Sequence, residues 1–545
     1  MRVGAIAVDS SGRAISQRPA MLPVPPTGAT VAASDNDHRY DHDDSAVPPQ
    51  TQSTMSVEDS KTSVDTKRPW YKSSTLLWLV VGFLIVMAAA IGIGLYFASD
   101  KSKKEVSYTS DTETVPPTGI DVLRGPILRQ YIVDGGITSS DDFDDEFSPQ
   151  FTAAQWLLTD DKVTEFSLSM TPLQVNTLIA RYVLAIFYFA LEGDTWYDKE
   201  GWLQGDLDHC TWEFVDCKTI DGLNQVTGIG TVPAGYGGHH PQEGGNNMSG
   251  SLPTELAQLS SLDHLKLPNN FISDVSVFQN GPKSLREINL AYNPSIENHE
   301  SLFSLTNLEY LTMVDSGWKG LLATDIQKLS SLRKLDLSRN NLKGKLTDHF
   351  KSMYQLETLF LDYNELKGTL DDILDCCRSQ SCDGTLKEFR SRDNPFSGTF
   401  PTHLFACTSL QQFHIVQSKI HGSIPSEFGL LSELVDLDLS LNYYLGEDDL
   451  NFGTNSSVSS AAVLPSELGN LQNLELLTLT GSSFISGTVP TEYGQMTSLV
   501  ELFLDRTGIT GTIPMPVCEI PSLRRITHSS VVTCPCPRPI CFARE

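Results

Sequence analysis

The second half of the chain repeats one pattern of apolar and polar positions. Each copy reads Leu-x-x-Leu-x-Leu-x-x-Asn, and successive copies start 23 to 25 residues apart, except across two insertions where the interval is 30 and 40 residues. The copies, of which the last is degenerate, start at Leu262, Leu285, Leu308, Leu332, Leu356, Leu386, Leu410, Leu434, Leu474, Leu499 and Leu523. A period of this length predicts a solenoid, in which each copy forms one turn and buries its leucines against the next turn.

The middle of each copy has the alternation of a short strand. Leu335 and Leu337, for example, point to one side of the strand, and the residues between and around them point to the other. The polar residue that ends the copy is expected to turn inward and to satisfy backbone groups at the bend. It is Asn270, Asn293, Asn340, Asn364, Asn394 and Asn442, with Ser316, Ser418, Ser482 and Thr507 in its place in four copies. A Gly-x-apolar-Pro element and a short helical stretch commonly follow.

Two helices are predicted ahead of the repeats, within residues 147–230, which we interpret as an N-terminal cap. The first has Ser148 at its N-cap and Pro149 in its first turn. The second has Thr171 at its N-cap and Pro172 in its first turn, and it ends near Gly193. Its apolar face comprises Val175, Leu178, Ile179, Tyr182, Val183, Ile186 and Phe187.

An uncharged apolar run covers residues 75–98. A helix of this length rises by about 30 Å or more, which is the thickness of the hydrocarbon core of a bilayer, so the run predicts a transmembrane helix. Residues 1–74 are rich in Ser, Thr, Asp and Pro and have few large apolar side chains, which predicts a disordered tail. Residues 99–146 are again polar and acidic, and we interpret them as a stalk.

The cysteines indicate on which side of the membrane the repeats lie. All ten follow the apolar run, and clustered cysteines of even number suit an oxidising compartment. The N-terminus is therefore predicted to be cytoplasmic and the solenoid extracellular, in a single-pass protein of the cell membrane. Two glycosylation sequons, at Asn247 and Asn455, lie on the same side. The disulfide candidates are Cys210, Cys217, Cys376, Cys377, Cys382, Cys407, Cys518, Cys534, Cys536 and Cys541; a zinc site is the alternative for the four between Cys376 and Cys407.

With its Gly-x-Ile-Pro element, the repeat resembles that of plant-type leucine-rich-repeat receptor-like proteins over residues 150–541, and the short motifs ahead of it are similar to those of membrane-anchored diatom proteins of this kind. The segment from Cys210 to Cys217 resembles the Cys-x-Trp-x-Gly-Val-x-Cys cap of plant receptors, with Phe214 in place of Gly. The resemblance implies an α/β repeat fold, a right-handed leucine-rich-repeat solenoid over residues 231–516, with a helical N-terminal cap and a Cys-rich C-terminal cap over residues 517–545. It also implies that the strands line a concave, ligand-binding face.

Aromatic and basic side chains concentrate in the middle of that face. Stacked turns bring equivalent strand positions to about 4.8 Å from each other. The residues at these positions that we expect to bind a ligand are Phe360, Tyr363, Arg390, Arg392 and His414. Exposed aromatic residues next to arginines are typical of interface anchors, and two arginines on one strand suit an acidic or carboxylate-bearing ligand. An ordinary solvated strand face is the alternative.

Composition and motifs narrow the function further. The net charge is −28, and residues 1–74 hold 8 basic and 9 acidic residues, so nearly all the excess of acid follows the apolar run and disfavours nucleic-acid partners. The sequence contains no Gly-x-Ser-x-Gly, His-Glu-x-x-His, Walker or kinase motif, and no enzyme activity, cofactor or metal is predicted. We expect a receptor-like protein that binds an extracellular protein, peptide or glycan, with a possible co-receptor or cytoplasmic adaptor. The alternatives are an adhesion protein or cell-wall scaffold and an inhibitor of secreted hydrolases.

Overall fold

The computed structural model describes residues 121–167, 169–230, 245–374, 385–446 and 462–544. The predicted cytoplasmic tail (1–74) and transmembrane helix (75–98) lie outside these residues. So do the sequon at Asn455 and the cysteines Cys376, Cys377 and Cys382.

Among the described residues, four helices precede the repeats: α1 (Asp121–Ile132), α2 (Ser140–Asp144), α3 (Pro149–Thr159) and α4 (Pro172–Ala190). The two predicted N-caps are confirmed. The Ser148 hydroxyl accepts a hydrogen bond from the Phe151 N–H at 2.8 Å. Thr171 and Gln174 form a reciprocal capping box, which satisfies two backbone donors at the start of α4.

Helices α1 and α2 lie within residues 99–146, where the sequence predicted a stalk. Leu128 and Ile132 of α1 are fully buried, and α1 contacts α3. Arg129 of α1 donates a hydrogen bond to Asp144 of α2 at 2.9 Å. The acidic composition of residues 99–146 concealed this extension of the cap, because the three buried side chains of α1, Ile127, Leu128 and Ile132, leave almost no amphipathic signal.

Of the described helices, only α4 is long and apolar enough to cross a membrane. Its side chains from Leu178 to Tyr188 are nevertheless mostly buried within the cap. Arg181 is fully buried, donates to Asp161 at 2.7 Å, and lies between the rings of Trp156 and Trp212, at 5.1 and 5.2 Å from their centroids. This burial is typical of a helix that packs inside a folded domain.

The repeats form one sheet of fourteen strands among the described residues. Its strands are β1 (Val215–Ile220), β2 (Leu223–Gly230), β4 (His264–Lys266), β6 (Glu287–Asn289), β7 (Tyr310–Thr312), β9 (Lys334–Asp336), β11 (Thr358–Phe360), β13 (Glu388–Arg392), β15 (Gln412–Val416), β17 (Asp436–Asp438), β19 (Leu476–Thr478), β21 (Glu501–Leu504), β24 (Arg525–His528) and β26 (Cys541–Ala543). Only β1 and β2 pair in antiparallel orientation; from β2 onward all neighbours are parallel. The predicted solenoid of parallel strands is confirmed.

Most turns carry further short strands outside this sheet, and among the described residues these strands form five small parallel sheets. They are β3 (Ser249–Ser251), β5 (Phe271–Asp274), β8 (Lys319–Leu321), β10 (Asn341–Lys345), β12 (Glu365–Lys367), β14 (Ser397–Gly398), β16 (Lys419–Ile420), β18 (Ala462–Val463), β20 (Ile485–Gly487), β22 (Gly508–Ile509), β23 (Gly511–Thr512) and β25 (Val532–Thr533). The short helical stretches predicted after Gly-x-apolar-Pro are mostly 3-10 turns, such as Ser426–Leu430 after Pro425 and Thr491–Gln495 after Pro490. Two further short helices are α5 (Leu370–Ile373) and α6 (Met515–Cys518).

The inward-turned asparagines form a ladder through the core. Asn293, which is fully buried, donates to the carbonyl oxygens of Leu267 and Leu290 and accepts from the Ile272 N–H. Each amide thus joins its own turn to the preceding one. Where serine replaces asparagine, the hydroxyl does part of this work: Ser482 donates to the Leu439 carbonyl at 2.9 Å and accepts from the Asn442 N–H.

Disulfides close both ends of the described repeats. Cys210 pairs with Cys217 beside the first strand, and at the other end Cys518 pairs with Cys536 and Cys534 with Cys541. Cys407 is also disulfide-bonded. Cross-links at the ends stabilise the turns that have a neighbour on one side only.

Candidate ligand-binding site

The five predicted site residues come together on the strand face, which we define as the side of the fourteen-stranded sheet that points away from the leucine core. Phe360 on β11 is in register with Arg390 on β13, and Arg390 is in register with His414 on β15. Arg392 lies on the same side of β13 as Arg390, and Tyr363 lies three residues after the end of β11. We call this group and its polar neighbours the central cluster: Phe360, Tyr363, Asp362, Arg390, Arg392, Gln412, His414, Asp436 and Asp438.

Arg390 is held between two neighbouring strands. Its guanidinium carbon lies 4.6 Å from the centroid of the Phe360 ring, and Nη2 donates to Gln412 Oε1 at 2.7 Å. The Nε atom is buried and has no hydrogen-bond partner among the described residues. A buried donor without an acceptor costs about 1–3 kcal/mol, so this atom favours an acceptor brought by a ligand or by water.

Arg392 is more exposed, with 46% of its side chain accessible. A hydrogen bond to Tyr363, supported by the nearby carboxylates of Asp438 and Asp362, raises the pKa of Arg392. Its Nη2 lies 3.7 Å from Asp438 Oδ2, which is a loose ion pair, and its backbone N–H donates to Asp362 Oδ1 at 2.6 Å. The charge of Arg392 therefore remains accessible.

His414 and Asp436 repeat the diagonal arrangement of Arg390 and Gln412 one strand further along. His414 Nε2 lies 2.8 Å from Asp436 Oδ2, but without the alignment of a hydrogen bond. Asp436 Oδ1 is buried and has no hydrogen-bond partner among the described residues. Three polar atoms with unused bonding capacity, one on each of β13, β15 and β17, thus lie next to each other.

The cluster is more acidic than the sequence led us to expect. The sequence pointed to two positive charges beside an aromatic face, and the structure adds carboxylates on both sides of them. The three outward-facing positions of β9 to β17 carry three basic residues, Lys334, Arg390 and Arg392, and five acidic ones, Asp336, Asp362, Glu388, Asp436 and Asp438. Burial raises the pKa of Asp336, which reduces its share of the negative charge. The site is dipolar.

Asp436 and Gln412 were missed at the sequence level. Both belong to a column of equivalent strand positions that also faces outward and that lies two residues earlier in each strand than the column of Arg390 and His414. This column runs through His264, Glu287, Tyr310, Lys334, Thr358, Glu388, Gln412, Asp436, Leu476, Glu501 and Arg525. Aligning this third column with the other two would have revealed them, because all three positions alternate with the buried leucines.

Comparison with known proteins identifies the repeat and finds similar receptor-like proteins. The family model of the leucine-rich repeat matches residues 331–353, a single turn. The chain has the leucine-rich-repeat fold. It is also similar to receptor-like protein 39 of Arabidopsis thaliana, with 32% identity over 133 residues, which cover 22% of this chain and 15% of that protein. The predicted resemblance to plant receptor-like proteins is confirmed, although the match spans only a small part of that relative.

Two solved plant structures are also similar to this leucine-rich-repeat chain. One is the ectodomain of the Arabidopsis membrane receptor kinase GASSHO1/SCHENGEN3 in complex with CASPARIAN STRIP INTEGRITY FACTOR 2, with 25% identity, a TM-score of 0.45, and coverage of 53% of this chain and 32% of that one. The other is the plant peptide hormone receptor RGFR1 in complex with RGF2, with 21% identity, a TM-score of 0.44, and coverage of 53% and 46%.

Charges at the edge of the strand face differ from those at its centre. The residues just before the strands form a ladder in which Arg286 pairs with Glu309, and both Arg333 and Lys387 pair with Glu357. Each charged group of this ladder is paired with a group of opposite sign on a neighbouring turn. The ladder therefore supports the turns, whereas the central cluster retains bonding capacity.

Two other candidate sites offer fewer unbonded groups to a ligand than the central cluster does. Asn247 is half-buried and its Nδ2 donates to the Thr195 carbonyl at 3.1 Å, so glycosylation there remains a prediction. A groove of about 1070 Å³ runs along the 3-10 turns between Ser276 and Lys328. Several of its lining side chains are already bonded to neighbouring groups, as in the 2.6 Å hydrogen bond from the Ser301 hydroxyl to the Val275 carbonyl.

Proposed function

We propose that the chain is a receptor-like protein of the cell surface that binds an extracellular peptide at the central cluster of its strand face. The observation that carries the proposal is the orientation of Arg390, which is fixed by Phe360 and Gln412 while its Nε remains without an acceptor. A preorganised guanidinium loses little conformational freedom on binding and forms strong charge-assisted hydrogen bonds. Together with Arg392 it suits a carboxylate.

The extended shape of a peptide suits the layout of the cluster. Aromatic, basic and acidic groups follow one another across β11, β13, β15 and β17, at about 4.8 Å from strand to strand. A ligand that crosses these strands contacts each group in turn. Rings and arginines in such a row are typical of the few residues that supply most of the binding energy at an interface.

The cell-surface part of the proposal rests on the cysteines and on the apolar run at residues 75–98. Disulfides persist in oxidising compartments, and the described ones lie between Cys210 and Cys541. A helix over residues 75–98 would leave the N-terminus in the cytoplasm and the repeats outside. Signal perception would then require a co-receptor or a cytoplasmic adaptor, because the sequence contains no kinase motif.

A binding experiment with two double variants tests the site. The probe is a library of synthetic decapeptides with free C-terminal carboxylates, applied to the purified full-length chain. For the peptides that the wild type enriches, we expect Arg390→Ala with Arg392→Ala to weaken binding by about 2 kcal/mol or more, which is about 30-fold in Kd, with a nearly unchanged melting temperature.

The matched control is Arg286→Ala with Arg333→Ala, which removes two arginines from the ladder at the edge of the same sheet. This control should retain binding. Equal losses in both double variants would indicate a diffuse interaction with the whole face. Full binding by the Arg390/Arg392 variant, or no enriched peptide with the wild type, would overturn the proposed site.

A further inference from the structure

Two carboxylates on β17 lie next to the arginines of the central cluster. Asp436 on β17 has one oxygen 2.8 Å from His414 Nε2 and a second oxygen that is buried without a partner among the described residues. Asp438, on the same face of β17, accepts hydrogen bonds at Oδ1 from the Ser440 N–H at 3.0 Å and the Ser440 hydroxyl at 2.5 Å, and its Oδ2 has a loose contact with Arg392 at 3.7 Å. The β17 side of the cluster therefore presents two carboxylates, of which Asp436 has an oxygen without a hydrogen-bond donor among the described residues.

Burial makes this arrangement costly in the absence of a ligand. Only 22% of the Asp436 side chain and 14% of the Asp438 side chain are exposed. A carboxylate oxygen removed from water without a hydrogen-bond donor is destabilised, and the cost disappears when a donor is supplied. A cationic donor also offsets the excess of acidic over basic residues on β9 to β17, and a neutral donor would not.

We propose that Asp436, assisted by Asp438, is a specificity-determining residue that binds a cationic group of the peptide next to the carboxylate held by Arg390 and Arg392. The inference rests on the proposed function, and it adds the class of ligand: a peptide with a basic side chain at a fixed distance from an acidic group. His414 lies between the two subsites and positions Asp436 through the 2.8 Å contact.

The register of the sheet sets that distance. β13 and β17 are separated by one strand, and Asp436 is two residues out of register with Arg390, so these two residues lie about 12 Å apart, from about 10 Å across the sheet and about 7 Å along the strands. An extended peptide advances about 3.3 Å per residue, and it covers this distance in about three to four residues. The basic side chain is therefore placed two to four positions from the carboxylate.

The test uses the same decapeptide library with one arginine fixed at each position in turn, and a matched library with glutamine at that position. Wild-type chain should enrich arginine two to four residues from the C-terminal carboxylate, with Kd about tenfold lower than for the glutamine peptide. In Asp436→Asn, this preference should fall to about twofold or less. The matched control is Glu501→Gln, which neutralises an acidic residue in the same column, two turns beyond Asp436. This variant should keep the preference for arginine.

The outcomes separate the inference from the function on which it rests. If Asp436→Asn keeps the arginine preference while Arg390→Ala with Arg392→Ala abolishes binding, the inference is wrong and the proposed site stands. If neither variant alters binding, both are wrong. The melting temperature of each variant is measured alongside binding. If Asp436→Asn lowers the melting temperature, Asp438→Asn is tested in its place. Retention of the arginine preference in Asp438→Asn would equally contradict the inference.

Discussion

Within three residues after its strand, each of the ten turns from β4 to β21 places one residue in the left-handed region of the backbone. Tyr363, Gln417 and Leu441 have φ values of 56°, 53° and 58°, and Gly481 occupies the equivalent position with φ 76°. In the N-terminal cap, Phe214 has φ 67° where the plant motif has glycine. The turn of the cap is thus retained with a bulky residue. Left-handed backbone costs a residue with a Cβ about 1–2 kcal/mol, and packing of the repeats offsets this cost.

Gln417→Gly should stabilise the protein for that reason. The relief of left-handed strain exceeds the extra unfolded-state entropy of glycine, and the exposed hydrogen bond from Gln417 to Asp393 contributes little. We expect the free energy of unfolding to rise by about 0.5–1 kcal/mol in urea titrations.

Gln411→Gly is the matched control, because Gln411 is an exposed glutamine directly before β15 and is not among the residues with positive φ. It should destabilise by about 0.5–1 kcal/mol. If both variants change stability in the same direction, backbone strain after the strands is not what distinguishes the two positions.

Sequence alone predicted some of these residue roles and not others. The inward asparagines follow from their polarity at a fixed place in an apolar pattern, and Asn293 makes the expected bonds to backbone groups of two turns. The left-handed residues leave no such trace, since glutamine, leucine and tyrosine all occur there. Asp436 was overlooked for another reason: its column of outward-facing positions was not aligned with the other two, and the missing partner of its Oδ1 is visible only in the structure.

At the scale of the element, the N-terminal cap contains a buried ion pair that the apolar pattern of its helices does not reveal. The sequence predicted both the start and the apolar face of α4, but Arg181 lies within that helix and is fully buried. It is compensated by Asp161 and by the Leu207 carbonyl, at 2.7 Å each. His209 is buried beside this group, and neither of its ring nitrogens has a hydrogen-bond partner among the described residues.

Stability of the cap should therefore fall as the pH is lowered. Burial, with the nearby Arg181 charge, lowers the pKa of His209 to about 4, although Asp208 and Asp161 act in the opposite direction. The unfolded histidine titrates near 6.5, so between about pH 6.5 and 4 the unfolded chain binds more protons than the folded one. The free energy of unfolding should decrease across this window, by roughly 3 kcal/mol from this group.

His209→Phe removes the titration while it keeps a ring in the cap. In urea unfolding curves recorded from pH 7 to 4, this variant should lose less stability than the wild type. His264→Phe is the control, because its ring lies at the surface with Nε2 at 2.9 Å from Asp216. A pH dependence that is unchanged in His209→Phe would assign the effect to other groups.

At the scale of the whole molecule, the periodic part was predicted well and the aperiodic part poorly. Ten copies in phase define the strands, their register and the positions of the leucines, because every copy repeats the same constraint. The cap from Asp121 to Ile132 has no such repetition and was taken for part of a stalk. Pairing of the terminal cysteines was also beyond the sequence, since four cysteines allow three connectivities; the structure pairs Cys518 with Cys536 and Cys534 with Cys541.

Charge and cysteine distribution together lead to a prediction about topology. The acidic excess and all ten cysteines follow residues 75–98, and disulfides of the kind formed by Cys210 and Cys217 require an oxidising compartment. Protease added to intact cells should therefore digest the repeats and spare an epitope placed within residues 1–74. Permeabilised cells provide the control, in which both parts become accessible. Protection of the repeats in intact cells, with loss of the N-terminal epitope, would reverse the orientation and place the strand face in the cytoplasm. An extracellular peptide could not then reach Arg390, so the proposed function would be excluded by the same experiment.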